Sequence, residues 1–470
     1  MKIIGGNSEA VTGSCTEISY DGRMSLFECG MIQDGKTIFD NYKLNQRLLS
    51  KIKSKRIEYI FAGHCHCDHI GLIPALYAKG CTAKIIVPSG STAILKEMWM
   101  DSAYINQRDV EYLSMKYGTK QDPLFIDADV ETALGYVEEF PSNQIIQLNN
   151  ELSFKFVPSG HILCANQMEL FISLNSHTKK ITFTSDLGNV KTEKERFFVE
   201  PFQSIAKSNI VIGECTYSAR QRSMSKKDLR MDIEKIRTVI TQFCIDNNGR
   251  VLIPSFSLDR VPFMIWILYS LFGNDPDFNI PVLVDSPLSI RLLKAYSDIL
   301  EDDRKNMFME MLSWNNLKFI ESPEDSKSEV ANKSSKIILS SSGMLTAGRS
   351  VYWTQSILPR SCDCILFVGY ANHNTLAYRI KTGKSKKTIN INGKPCKNEC
   401  QIVDLHSFSS HMQRDDLINY YKSFNAEKIY LVHSDKSTRL EFKEDLQEAI
   451  ADCLKTTKVI AVNKSTVISV

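Results

Sequence analysis

Six consecutive residues, His64-Cys65-His66-Cys67-Asp68-His69, place four metal-binding side chains in one short stretch. Their spacing suits two ions rather than one. In an extended segment leaving a strand, His64 and His66 point the same way and can share an ion, while Asp68 and His69 turn toward a second. Cys65 and Cys67 alternate with the histidines and are expected to point away and pack. Polar residues capping the helix that Gly71-Leu72-Ile73-Pro74 opens would explain one Asp or His, but not four donors in this order.

A two-metal centre needs further donors, and the chain holds nine histidines. His161 follows Pro158-Ser159-Gly160, after the alternating apolar residues Leu152, Phe154 and Phe156. Asp186 closes Ile181-Thr182-Phe183-Thr184-Ser185, and His433 ends Ile429-Tyr430-Leu431-Val432. Each lies where a strand-like segment gives way to a loop, where a rigid sheet can hold a side chain steady and leave it free to bind.

The elements that must carry these residues change character along the chain. Residues 1 to 190 show short alternating segments joined by helical stretches, Ser91 to Trp99 and Ser102 to Lys116, which suits a layered αβ/βα sandwich. From about residue 205, helix and strand alternate: helix Lys226 to Phe243, strand Val251 to Ile253, helix Arg260 to Leu271, strand Val282 to Val284. That rhythm predicts a parallel sheet covered by helices. Because His433 belongs with a site begun at His64, the second domain is expected to be an insertion. The expected organisation is 1–204 (first domain, first part), 205–395 (insertion) and 396–470 (return), with the join in the Lys-, Gly- and Asn-rich stretch Lys381 to Lys397.

Composition narrows the classes. The 470 residues can bury substantial cores, and 43% are apolar. A net charge of +3 says nothing about partners, so nucleic acid would have to meet local basic patches. Thirteen cysteines without an N-terminal secretory signal read as reduced packing thiols in a cytoplasmic protein. Cys362 and Cys364 lie too far from Cys396 and Cys400 for the usual paired zinc spacing. Apolar runs such as Phe263 to Tyr269 are too short to span a bilayer, so no membrane insertion is expected.

Further motifs occur in order. Glu9 to Cys15 and Glu28-Cys29-Gly30 precede the histidine-rich stretch; Gly160-His161, Ser185 to Gly188, Glu214-Cys215-Thr216-Tyr217, Pro254 to Arg260, Asp285 to Leu288, Ser342 to Leu345, Gly369-Tyr370, Ser407 to His411 and Leu431-Val432-His433 follow it. This series resembles the metallo-β-lactamase superfamily and, within it, the β-CASP nucleases, which include the pre-mRNA 3′-end-processing endonuclease and bacterial and archaeal ribonucleases. The resemblance covers nearly the whole chain and implies an α/β fold, a metallo-β-lactamase sandwich with an inserted α/β domain.

Ligand logic, read with the resemblance, assigns His64, His66 and His161 to one zinc and Asp68, His69 and His433 to another, with Asp186 bridging. Two such ions would bring the pKa of a shared water toward neutrality and offset charge developing on a phosphoryl group. The resemblance adds Glu214 and His411, counted with Asp68 as catalytic: His411 against the scissile phosphate or leaving oxygen, Glu214 orienting it. It makes Glu28 a support for the ligands, and Ser409 and Ser410 candidate phosphate donors. Arg220, Arg222, Lys226, Lys227 and Arg230, with Lys381, Lys384, Lys386 and Lys387, are candidate contacts to the substrate backbone. Three departures from the family pattern stand out: Glu28 for the usual aspartate, Asp259 for a glycine, and Asn372-His373-Asn374.

The implied function is a zinc-dependent ribonuclease that cuts single-stranded RNA endonucleolytically between the domains, leaving 5′-phosphate and 3′-hydroxyl ends. Hydrolysis of DNA or a cyclic nucleotide, or an inactive RNA-binding scaffold, are the alternatives; the retained ligand set argues against the scaffold. RNA is the expected partner, with a homodimer open as the assembly.

Overall fold

A computed structural model of the protein describes residues 1–5, 11–174, 177–219, 226–383, 387–451, 456–463 and 466–468. Glu9 and Ala10 of the opening motif, and Arg220, Arg222, Lys384 and Lys386, lie outside the described residues. The chain forms two compact units. Unit 1 comprises Met1–Val190, Val199–Ser223 and Ser410–Val470; unit 2 comprises Lys191–Phe198 and Met224–Ser409, so it is inserted into the first.

Unit 1 is an αβ/βα sandwich. One sheet has six strands in chain order: Lys2–Ile3, Thr16–Tyr20, Arg23–Phe27, Ile57–Phe61, Lys84–Pro88 and Val137–Phe140. The other has seven, in the order Lys458–Ala461, Lys428–Val432, Ile210–Glu214, His177–Phe183, Asn166–Leu174, Leu152–Pro158 and Ile146–Gln147. Alternation along the strands sends Phe154 and Phe156 inward, where they share a core with Phe27, Phe61, Phe183 and Tyr430. Phe27 and Phe183 stack across the sheets with centroids 4.4 Å apart. Each phenylalanine so buried contributes about 1.5–3 kcal/mol. On the outer face of the second sheet, Tyr420, Tyr421, Phe442 and Leu446 of helices Arg414–Ser423 and Lys436–Ile450 cover Val211, Ile429 and Leu431.

The two helices expected at Ser91 to Trp99 and Ser102 to Lys116 are one helix of 27 residues, Ser91–Tyr117. No breaker separates them, and Trp99 anchors the middle by donating its indole N–H to the carbonyl of Ile70 at 3.0 Å.

Unit 2 is built on a six-stranded parallel sheet in the order Leu317–Phe319, Val282–Val284, Lys336–Ser340, Arg250–Pro254, Cys364–Phe367 and Gln401–Asp404. Its central strands are buried throughout, as strands covered on both faces must be. The polar stretch after Lys381 carries a hairpin, Thr388–Ile391 with Lys394–Lys397, and the unit continues to Ser409. Asp259, expected from the sequence to replace a glycine, has a φ of 71° at the start of helix Arg260–Phe272. Its carboxylate pairs with the buried guanidinium of Arg196, which offsets the strain of that conformation.

Candidate metal centre

Every candidate ligand belongs to unit 1, and four of them lead off from strand ends. His64 follows Ile57–Phe61, His161 follows Leu152–Pro158, Asp186 follows His177–Phe183, and His433 follows Lys428–Val432. After His66 the chain turns into a short helix, Cys67–Ile70, which carries Asp68 and His69. Residues 28 to 31 lie against this turn. Cys29 and Met31 donate backbone N–H bonds to the carbonyls of His69 and Cys67, both at 2.9 Å. Gly30 has to be glycine, since a Cβ there would fall 1.6 Å from the carbonyl oxygen of Asp68.

The seven predicted ligands converge in two sets. In the first, His66 Nδ1 lies 3.2 Å from both His64 Nε2 and His161 Nε2, and Asp186 Oδ2 lies 3.5 Å from the latter two. In the second, His433 Nε2 lies 3.1 Å from His69 Nε2 and 3.3 Å from Asp68 Oδ2, while Asp186 Oδ1 lies 3.4 Å from His69 Nε2. Donors on a tetrahedral zinc, with bonds of about 2.1 Å, stand about 3.4 Å apart. The donor set therefore fits one cation in each group, with the two oxygens of Asp186 facing one group each. Among the described residues no hydrogen-bond donor meets the buried Asp186 Oδ1, which is costly for a carboxylate unless a cation meets it.

Hydrogen bonds behind the rings set their tautomers. An ionised Glu28 only accepts, so Ser14 Oγ–H (2.5 Å), Ser185 Oγ–H (2.7 Å) and His69 Nδ1–H (2.7 Å) all donate to it. With its proton on Glu28, Ser185 accepts from His64 Nδ1–H at 2.9 Å. Thr216 donates to the carbonyl of His433 and accepts from His433 Nδ1–H, both at 2.9 Å. His161 Nδ1–H donates to the carbonyl of Ser410 at 3.3 Å. In four rings the Nε2 lone pair is thus left facing the centre, as metal ligation requires. Glu28, Ser185 and His433 adopt φ of 63°, 48° and 60°. Such conformations cost about 1–3 kcal/mol each and persist where the surroundings over-determine them.

Glu214 and His411 stand beside this cluster. Glu214 is buried, accepting from the backbone N–H of Leu187 (2.8 Å) and Thr216 (2.9 Å). Its Oε1 lies 3.2 Å from His411 Nδ1. Tyr217 lies parallel to the imidazole of His411, at 10° with centroids 5.3 Å apart. Held on its Nδ1 edge and one face, His411 keeps Nε2 toward the metal ligands, 4.0 Å from Asp186 Oδ2. Ser410 contributes its carbonyl, which accepts from Asn189 N–H (2.9 Å) as well as facing His161, and Ser409 is buried in unit 2. Lys227 and Arg230 are exposed on helix Lys226–Ile240. Lys381 is already engaged, pairing with Asp404 at 2.7 Å and donating to the Gly369 carbonyl at 2.8 Å.

Electrostatics separates ligands from packing groups. Burial pushes the Cys65 and Cys67 thiols up to about 12, so neither is a thiolate at neutral pH. Burial, with His69 nearby, pushes His64 well below the ordinary histidine value and keeps it neutral. For Asp68, burial works upward, but His69 and His433 outweigh it and bring the carboxyl down to about 2. Burial works downward on His69 and His433 too, but Glu28 and Asp186 at the first and Asp186 and Asp68 at the second outweigh it and raise both, so cations entering the second set would displace protons. We expect elemental analysis of protein purified without chelator to find two metal ions per chain. Asp68→Ala or His433→Ala should retain one, because His64, His66 and His161 are untouched; one ion or none in the wild type would contradict the two-set assignment.

Comparison with known proteins gives this geometry a family. A model described as the Beta-Casp domain matches residues 263–380, and one described as the Zn-dependent metallo-hydrolase RNA specificity domain matches residues 397–456. With the relatives named below, these matches support a metallo-β-lactamase-type β-CASP nuclease. The chain is 24% identical over 442 residues to a ribonuclease of Thermus thermophilus, covering 93% of each chain. It is 23% identical to Transcription termination factor FttA of Methanocaldococcus jannaschii, over 94% of this chain and 68% of that one. To Endoribonuclease YSH1 of Saccharomyces cerevisiae it is 21% identical, over 94% of this chain and 55% of that one. A crystal structure of a protein of unknown function from Enterococcus faecalis shares the fold, with a TM-score of 0.52 at 12% identity, covering 99% of this chain and 97% of that one.

Three supporting residues escaped the sequence reading. Ser14 and Ser185 stood inside quoted motifs and Thr216 inside another, but nothing in their spacing tied them to Glu28 or His433. Only the fold, which brings residues 171 positions apart together at Ser14 and Ser185, exposes the network.

Proposed function

We propose that this protein is a zinc-dependent endoribonuclease that hydrolyses phosphodiester bonds of single-stranded RNA to 5′-phosphate and 3′-hydroxyl ends. One observation carries the reading: seven donors at tetrahedral spacing, flanked by an imidazole whose Nδ1 meets Glu214 and whose Nε2 faces Asp186. Two zinc ions held by these donors would supply a water made acidic enough to attack phosphorus and would offset charge on the phosphoryl oxygens. His64, His66 and His161 hold one side, Asp68, His69 and His433 the other, and Asp186 both. Glu28 keeps the rings of His69 and, through Ser185, His64 in place. His411, gripped by Glu214 and Tyr217, presents Nε2–H to the departing 3′ oxygen, to which it can give a proton.

The names of the relatives support RNA as the substrate. Burial supports a single strand: five of the seven donors, His64, His69, His161, Asp186 and His433, are buried, and a lone strand reaches such a centre more readily than a duplex backbone does. Incubating the zinc-loaded protein with labelled single-stranded RNA, single-stranded DNA and cyclic nucleotides tests this reading. Internal cleavage of RNA that stops on chelation is expected. Hydrolysis of DNA or cyclic nucleotide with RNA left intact would overturn it.

A further inference from the structure

The solvent face of helix Ser91–Tyr117 is not the polar face a surface helix normally shows. Tyr104, Tyr112, Met115 and Tyr117 are 58%, 46%, 78% and 47% exposed, while Val110 and Leu113 on the other side are buried with Tyr42 of helix Ile38–Lys51. Tyr104, Arg108, Tyr112 and Lys116 recur every fourth residue and so line one stripe. Each cation lies over an aromatic ring: Arg108 at 5.7 Å from the Tyr104 centroid, Lys116 at 5.6 Å from that of Tyr112 and 5.5 Å from that of Tyr117.

Beyond the end of the helix, Lys120 and Gln121 line a pocket of about 410 Å³ together with Tyr42, Gln46, Lys79 and Asp122. That volume suits a small planar group. Gln46 offers an amide edge that can pair with a base, while the Gln121 amide already donates to Thr119, and Lys79 and Lys120 offer charge for phosphate. Lys120 pairs with Asp122 at 3.3 Å, but both are at least 80% exposed, so that ion pair yields readily to a phosphate.

We propose that this stripe and pocket form a second binding surface for single-stranded RNA, holding a stretch of the strand away from the metal centre. The inference rests on the ribonuclease reading. Aromatic faces interleaved with cations match what single strands offer, bases free to stack and phosphates at regular intervals. Asp109, Glu111 and Asp122 offset part of the charge of Lys79, Arg108, Lys116 and Lys120, and the cations remain in excess by one. A second copy of this chain would present that same excess, whereas a nucleic acid complements it. Binding here depends on strand length and salt and carries little sequence preference.

The test uses two double variants, Tyr104→Ala with Tyr112→Ala, and Arg108→Gln with Lys116→Gln. All four side chains are exposed, so the fold should be indifferent to them. Affinity is measured for a cleavage-resistant phosphorothioate RNA of about 30 nucleotides, and cleavage for one of about 6, near the lower site sizes of single-strand binders. The aromatic variant should bind the long strand about 10-fold or more weakly, given the usual worth of base stacking. The charge variant should flatten the salt dependence. Both should cut the short strand like wild type. Unchanged long-strand affinity in a wild type that cuts RNA would overturn the inference and leave the function standing. A fall from dimer to monomer in the aromatic variant, by sedimentation, would assign the face to a second copy and overturn it. A wild type that binds no RNA would overturn both.

Discussion

His411→Ala is expected to keep both zinc ions and the fold while RNA cleavage falls by about 10²- to 10⁴-fold, the range for loss of a general acid or base. The imidazole lies outside the seven-donor set, and its Nδ1 is engaged by Glu214 at 3.2 Å, not by the ligand cluster. RNA binding should weaken only modestly, because contacts to the backbone carry most of the affinity. The parallel stack with Tyr217 extends the expectation. Tyr217→Phe keeps a ring against His411 and should retain activity, whereas Tyr217→Ala should lower kcat with little change in KM. Metal analysis and single-turnover cleavage of the purified variants check these points together. Loss of zinc from His411→Ala would make His411 a ligand and reopen the place of His433. Undiminished cleavage would remove His411 from the mechanism.

Glu28→Ala is expected to weaken the binding of both ions by about 10- to 100-fold, the usual cost of losing a group that holds ligands. A single carboxylate here serves both sets, touching His69 directly at 2.7 Å and His64 through Ser185. Its removal would also leave the hydroxyls of Ser14 and Ser185 buried without their acceptor. Glu28→Asp should keep metal and part of the activity, since an aspartate can still accept from some of the same donors after a small shift. Titration with a competing zinc chelator measures the change. Wild-type zinc affinity in Glu28→Ala would show that these hydrogen bonds do not hold the ligands.

The main lines of fold and site were open to reading because they rest on local patterns. Alternating residues in Leu152 to Phe156 mark a half-buried strand, and the buried runs at Val251 to Ile253 and Val282 to Val284 mark a parallel sheet. His64, His66, Asp68 and His69 announce themselves by type and spacing. What was not legible depends on contacts between distant segments. The long helix at Ser91 was divided because nothing local says whether a helical pattern continues past Trp99, and burial of that indole supplies the answer. The partner of Asp259 could not be read from the sequence either, because it is Arg196, 63 residues away within the same unit. Ser410 was read for its hydroxyl, yet its carbonyl faces His161, and backbone roles leave no trace in residue type.

Mapping the ends of the RNA products tests the central claim most directly. Attack by a water held at the Asp186-centred donor set, with the 3′ oxygen leaving past His411, must give a 5′-phosphate on one fragment and a 3′-hydroxyl on the other. Ligation or mass analysis of the fragments should find those ends. A 2′,3′-cyclic phosphate would mean that the neighbouring ribose hydroxyl is the nucleophile, and would contradict the account.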